Sequence, residues 1–320
     1  MPHLVIHSAK PFPMKIGLID IGSNTCKLLI AERRPGFKSK NLNVLEEISL
    51  PCRLFEVSPT ENLKIEQPKL NRLIDCLLGF VEISQKQSVV QLKTVATEAL
   101  RKAINSTEIL EAVERKVGLK IQILSGEEEA RAVAQGLQTD PIIRNWENFI
   151  AMDMGGGSTE FIEVKRKKIE GVKSLPLGAA TVAYSICSDI STKITLDDQQ
   201  KVRNLVQDAL QAQLIDFSRL QIPLVATGGT IVFLRKILEQ DALHEQPGCI
   251  ELKRIERLAK SVCSLSLDKR ISHYTEIPSD RADIFPYGVL TLVEIMKFLG
   301  VDRLTHSFHN LRYGLVEELL

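Results

Sequence analysis

No apolar run in the sequence approaches the roughly 20 residues that a membrane-spanning helix needs. Residues 1–13 lack both the long apolar stretch and the small-residue cleavage site of a secretory leader. They read as a loose arm, with Met14 a candidate start, because a strand pattern begins immediately after it. The six cysteines, Cys26, Cys52, Cys76, Cys187, Cys249 and Cys263, contain no C-x-x-C pair. Their scatter argues against a zinc site and for reduced core thiols in a cytoplasmic protein. The six histidines have no metal-ligand spacing either. Charge of one sign is missing too: 41 lysines and arginines face 40 acidic residues, a net charge of +1. Without a basic field, a nucleic-acid polymer is not the expected partner. An anionic ligand would have to be held by local groups. Neither a G-x-x-x-x-G-K-[ST] phosphate loop nor a G-x-G-x-x-G dinucleotide turn stands where it would be needed.

What is present suits a globular protein. At 320 residues and 44% apolar, the chain is long enough for two cores. Lys15–Asp20, Lys27–Ala31 and Val44–Leu50 read as three antiparallel strands. Helical periodicity follows over about 67–85, then a strand over Val89–Ala96. Thr97–Ala103 and Ser106–Val117 read as helices, the second with Ser106 as N-cap, and Leu119–Leu124 as a strand. Ser125 caps a helix running to about Leu137, with acids in its first turn. The opening pattern then recurs: Phe149–Asp153 and Glu160–Val164 are strands, and the charged run Lys165–Lys168 is a solvated hairpin turn before Ile169–Leu175. A long helix is expected from Thr195 to Phe217, a strand over Ile222–Ala226, and a helix after Gly228 and Gly229. The remainder reads as mostly helical. The expected halves are 14–138 with 305–320, and 139–304.

The repeat carries the chemistry. Ile19-Asp20-Ile21-Gly22-Ser23-Asn24-Thr25 superposes on Met152-Asp153-Met154-Gly155-Gly156-Gly157-Ser158. An ordinary Asp-Gly hairpin turn would explain one copy. Two copies in equivalent places, one extended to Gly-Gly-Gly-Ser, argue for two half-folds with an anion between them. Glycines let backbone approach a ligand, and successive amides make an anion-binding concavity. The hydroxyls of Ser23, Thr25, Ser158 and Thr159 add donors. Asp20 and Asp153 would repel a phosphate, but each can hold Mg²⁺, usually through waters. Glu160, directly after the second turn, faces whatever that turn holds. Its counterpart in the first hairpin is Lys27, of opposite sign.

Together with Ala226–Thr230 (ATGGT), these segments resemble the phosphate and adenosine motifs of the actin-like ATPase superfamily. More narrowly, the chain resembles the exopolyphosphatase/guanosine pentaphosphate phosphatase (Ppx/GppA) family. The marks are IDIGSNT (Ile19–Thr25), ATEALR (Ala96–Arg101) followed by Asn105, SGEEEA (Ser125–Ala130), DMGGGSTE (Asp153–Glu160), LPLGA (Leu175–Ala179), ATGGT and RAD (Arg281–Asp283). They occur in family order from about Lys15 to Leu320.

The resemblance implies an α/β protein of two ribonuclease-H-like domains facing across a cleft. It implies Mg²⁺-dependent removal of the terminal phosphate from polyphosphate or pppGpp. Glu129 is then the catalytic base, assisted by Glu160, and Asp20, Asp153 and Glu160 surround the metal. Phosphate is held by Gly22, Ser23, Asn24, Thr25, Gly155, Gly156, Gly157, Ser158 and Thr159, with Arg101 and Arg281 as guanidinium partners. The oligomer considered is a homodimer. Two departures are visible. Arg53-Leu54-Phe55-Glu56-Val57 stands where the family often reads R-L-G-x-G-L, so the loop's substrate role is not carried over. Ser307–Gly314 keeps Leu311, Arg312 and Gly314 of S-D-x-G-L-R-E-G but lacks the Asp. A small-molecule kinase of the same superfamily and a non-catalytic polyphosphate or alarmone binder stay open as rivals. An assembly protein ranks below both.

Overall fold

The computed structural model describes residues 14–33, 42–54, 64–214, 222–239 and 248–320. The arm at 1–13, the loop at 55–57 and the helix end at 215–217 lie outside the described residues. The first sheet takes β1 (Lys15–Ile21), β2 (Thr25–Glu32), β3 (Asn43–Pro51), β4 (Gln91–Ala96) and β5 (Ile121–Ile123) in the order β3-β2-β1-β4-β5. Its helices are α1 (Gln67–Lys86), α2 (Glu98–Lys102), α3 (Ser106–Val117) and α4 (Gly126–Leu137).

The second sheet takes β6 (Phe149–Met154), β7 (Thr159–Lys165), β8 (Lys168–Leu175), β9 (Leu224–Thr227), β10 (Cys249–Glu251) and β11 (Arg303–His306), in the order β10-β11-β9-β6-β7-β8. Around it run α5 (Ala179–Ile186), α6 (Leu196–Leu214), α7 (Gly229–Glu239), α8 (Leu252–Ser264), α9 (Leu267–His273) and α10 (Phe285–Leu299). The chain ends in α11 (Leu311–Leu319).

Laid side by side, β3-β2-β1-β4-β5 and β8-β7-β6-β9-β11 share order and strand sense, with an antiparallel meander followed by parallel crossovers. The ribonuclease-H-like repeat is therefore present twice, and β10 is an added edge strand. The registers match at the chemical positions: Asp20 pairs with Lys27, and Asp153 with Glu160.

Both faces of the central strands are buried, so their sequences are nearly continuous apolar runs. Ile19, Ile21, Leu28 and Ile30 join α1 and α3 in one core. Ile16, Leu18, Leu29 and Ala31 share another core with Phe149, Ala151, Ile162 and Val164 of the second sheet and with α4 and α11. Helices α4 and α11 thus sit between the sheets and fasten one half to the other. They cross at Gly136 and Gly314, where a Cβ on either residue would overlap the backbone of the other helix.

Several boundaries differ from the sequence reading. The expected division at 304/305 cuts β11, which belongs wholly to the second sheet because it pairs with β9 and β10. The chain returns to the first half only with α11. The N-cap of α3 is Asn105, and its side chain exchanges hydrogen bonds with the Ile65 backbone at 3.0 and 2.9 Å instead of capping. Helix α5 and strands β10 and β11 lacked a sequence signal of their own. The charged run is a two-residue turn, with Arg166 at φ 49° and Lys167 at φ 64°. None of the six cysteines is in a disulfide, and only Cys26, Cys52 and Cys263 are core thiols. No helix among the described residues is long and apolar enough to cross a membrane.

Candidate active site

The two duplicated turns face each other across a cavity of ≈ 370 Å³. Asp20, Gly22, Ser23, Asn24 and Thr25 line one wall, and Asp153, Gly155, Gly156, Gly157, Ser158 and Glu160 the opposite one. Glu129, from the first turn of α4, and Arg281, from the loop before α10, complete it. The turns approach so closely that a Cβ on Gly156 would strike the Asn24 carboxamide, and one on Gly157 the Glu98 carboxylate. A side chain at either position would displace the Asn24 or Glu98 side chain from this contact.

Hydrogen bonding decides which way the turns point. In the first turn, the Ser23 carbonyl accepts from the Leu54 amide at 2.8 Å, and the Asn24 carbonyl accepts from the Cys52 amide at 2.9 Å. In the second, the Gly155 and Gly156 carbonyls accept from the amides of Ala179 and Ala180 at 3.2 and 2.9 Å. The Gly157 carbonyl accepts from the Thr181 hydroxyl at 2.7 Å. In a trans peptide the N–H points away from the preceding carbonyl. Anchoring the carbonyls in the scaffold therefore turns the amides of Asn24, Thr25, Gly156, Gly157 and Ser158 toward the cavity, as an anion nest requires.

Three expectations change here. The Gly22 and Gly155 amides donate to Thr25 and Ser158 carbonyls at 3.0 and 2.9 Å, so these residues close the turns and have no amide to offer a ligand. Thr159 is fully buried and donates its hydroxyl to the Leu177 carbonyl at 2.9 Å, away from the cavity. Arg101 does not line the cavity. Its Nη1 donates instead to Glu129 at 3.1 Å and to the Leu124 carbonyl at 2.6 Å.

The carboxylates crowd one another in a poorly hydrated space. Burial pushes Glu129 up to about 8; Glu160 adds to the rise and Arg101 opposes it. Burial likewise pushes Glu160 up to about 7, with Asp153 adding and the hydroxyls of Ser158 and Ser174 opposing. These hydroxyls donate to Glu160 at 2.6 and 2.8 Å. Asp153 rises to about 6 through burial, against the pull of Lys27. Such values lie where proton-transfer groups operate.

Lys27 and Glu98 also line the cavity, and the sequence reading assigned neither. The signal for Lys27 was the register itself, which sets it opposite Asp20. Burial holds its ammonium below the ordinary lysine value, and Asp20 opposes that shift. Glu98 lies within the ATEALR segment and accepts from Ser158 at 3.4 Å. From the altered carboxyl-terminal motif, Asn310 and Leu311 reach the cavity, and Asn310 caps α11 by accepting from the Arg312 amide at 3.0 Å.

Among the described residues no three His, Cys, Asp or Glu side chains converge closely enough to hold a metal ion directly. Mg²⁺ usually keeps several waters and takes only one or two carboxylates. Asp153 and Glu160, buried together, with Asp153 raising the proton affinity of Glu160, suit that hydrated mode.

Comparison with known proteins identifies the family and the fold. The model of the Ppx/GppA phosphatase family matches residues 29–320. The fold is similar to that of the Aquifex aeolicus Ppx/GppA family member, at 23% identity and a TM-score of 0.76, covering 96% of this chain and 97% of that one. It is also similar to an exopolyphosphatase from Cytophaga hutchinsonii, at 21% identity and a TM-score of 0.83, covering 96% and 97%.

Proposed function

Because the chain belongs to the Ppx/GppA phosphatase family, we propose that it hydrolyses the terminal phosphoanhydride of inorganic polyphosphate or of pppGpp and releases orthophosphate. The observation that carries this reading is the pair of inward-facing amide turns with Glu129 and Glu160 in the cavity between them. The amides of Asn24, Thr25, Gly156, Gly157 and Ser158 hold the oxygens of the last phosphate. Lys27 and Arg281 supply positive charge along the chain behind it. Glu129 orients a water and accepts its proton as the water oxygen bonds to phosphorus. The bond from that phosphorus to the bridging oxygen breaks, and the shortened chain leaves with the electron pair. Arg101 aims the Glu129 carboxylate, and Glu160 is steadied by Ser158 and Ser174. Mg²⁺, held through waters by Asp153 and Glu160 with Asp20 nearby, would neutralise phosphate charge when bound.

One feature favours the nucleotide over the bare polymer. Half-buried Phe233 lines the same cavity, beside Thr227–Thr230 at the start of α7. A base offers such a side chain apolar surface to cover, and polyphosphate offers none. The free thiols suit a reducing cytoplasm. The test is phosphate release from tripolyphosphate and from pppGpp, each with Mg²⁺ and without an added acceptor. Release from either substrate supports hydrolysis. Transfer of the phosphoryl group to an added alcohol, giving its phosphate ester and no orthophosphate, would mean a kinase, and binding without turnover would mean a sensor.

A further inference from the structure

Arg53 follows directly after the hydrogen-bond anchor of the first turn. Its backbone amide donates to the Asn24 carbonyl at 3.1 Å, and its φ of 36° lies in the left-handed region that few arginines adopt. Its side chain leaves the first half altogether. Nη2 donates to the Asp280 carbonyl and lies 3.4 Å from the Asp283 carboxylate, more than two hundred residues away. Asp280 and Asp283 flank Arg281, the cavity's guanidinium from the second half. The same loop is held from behind by the buried Arg270, which donates to the Ala282 carbonyl at 2.9 Å. Asp283 itself accepts from the Ile284 amide at 2.8 Å. Arg53 does not line the cavity, so its fork is occupied by the loop and not by the space where substrate would lie.

We infer that Arg53 is a positioning residue that sets Arg281 against the first anion turn, clasping the two walls of the cavity together. The inference rests on the reading of Arg281 as a substrate contact.

Two measurements test it, on Arg53→Ala, Asp283→Asn, Arg281→Ala and the double variant Arg53→Ala/Arg281→Ala. Hydrogen exchange of residues 280–284 without ligand reads the clasp whether or not the protein is a phosphatase. Arg53→Ala should speed that exchange by about tenfold or more, and Asp283→Asn should do so if Arg53→Ala folds poorly. With Mg²⁺ and tripolyphosphate, Arg53→Ala should raise KM about tenfold with kcat kept within about twofold, and the double variant should match Arg281→Ala alone. Unchanged exchange in both Arg53→Ala and Asp283→Asn overturns the inference. So do additive KM losses, which would mean that Arg53 touches substrate itself. If the wild type releases no phosphate, the proposed function fails and exchange alone decides the clasp.

Discussion

Arg101 grips the Glu129 carboxylate at 3.1 Å, and the same nitrogen is tied to the Leu124 carbonyl at 2.6 Å. A cation so close would ordinarily lower a carboxyl's pKa. Burial outweighs it, and Glu129 stands at about 8. The base is thus aimed by a cation without losing its proton affinity.

Glu129→Gln should therefore lower kcat for phosphate release by ~10²–10⁴-fold while tripolyphosphate still binds in calorimetry. Wild-type kcat/KM should rise with pH toward about 8, because the base of the free enzyme must be deprotonated. Arg101→Ala removes the opposing cation and should move that limb to higher pH. Equal rates for Glu129→Gln and wild type would end the assignment.

Removing divalent cations should make stability pH-dependent in a stated direction. Folding raises Asp153 to about 6, Glu160 to about 7 and Glu129 to about 8. A raised carboxyl contributes its stability below its unfolded pKa and loses it as pH climbs through the folded value. The Tm in EDTA should fall between pH 5 and 9, and Mg²⁺ should restore about 3 °C or more at pH 9 but little at pH 5. A Mg²⁺ effect equal at both pH values would count against these carboxylates as its site.

Gly178 packs against the Gly156 backbone, where a Cβ has no room. Gly178→Ala should cost about 1–3 kcal/mol and lower phosphate release, since the displaced segment is the second anion turn. Gly79 is the control: nothing lies within 4 Å of its Cβ position inside α1, so Gly79→Ala should stabilise by about 0.5–1 kcal/mol with activity intact. Urea midpoints and phosphate release separate the two.

At the α4–α11 crossing, Gly136→Ala or Gly314→Ala forces the helices apart. Either should destabilise by about 1–3 kcal/mol or more, read as a lower Tm. Because the two residues touch, the double variant should cost less than the sum of the singles. Full additivity would show that the contact is not shared.

The duplicated Asp-x-Gly turns, the flanking strands and the capped start of α4 were readable in the chain itself, because turn residues and apolar runs act locally. That locality also made Asp20, Asp153 and Glu160 candidates before any coordinates, and the family resemblance added Glu129. Which groups the turns present was not local. Thr159 is spent on Leu177, and Arg101 on Glu129. Those partners are chosen by strands and helices that meet only after folding. The same holds for β11 joining β9 and for Arg53 reaching across to Asp280 and Asp283. Sequence patterns set the elements because their rules act over a few residues. The direction of each polar group was decided by contacts between segments far apart in the chain.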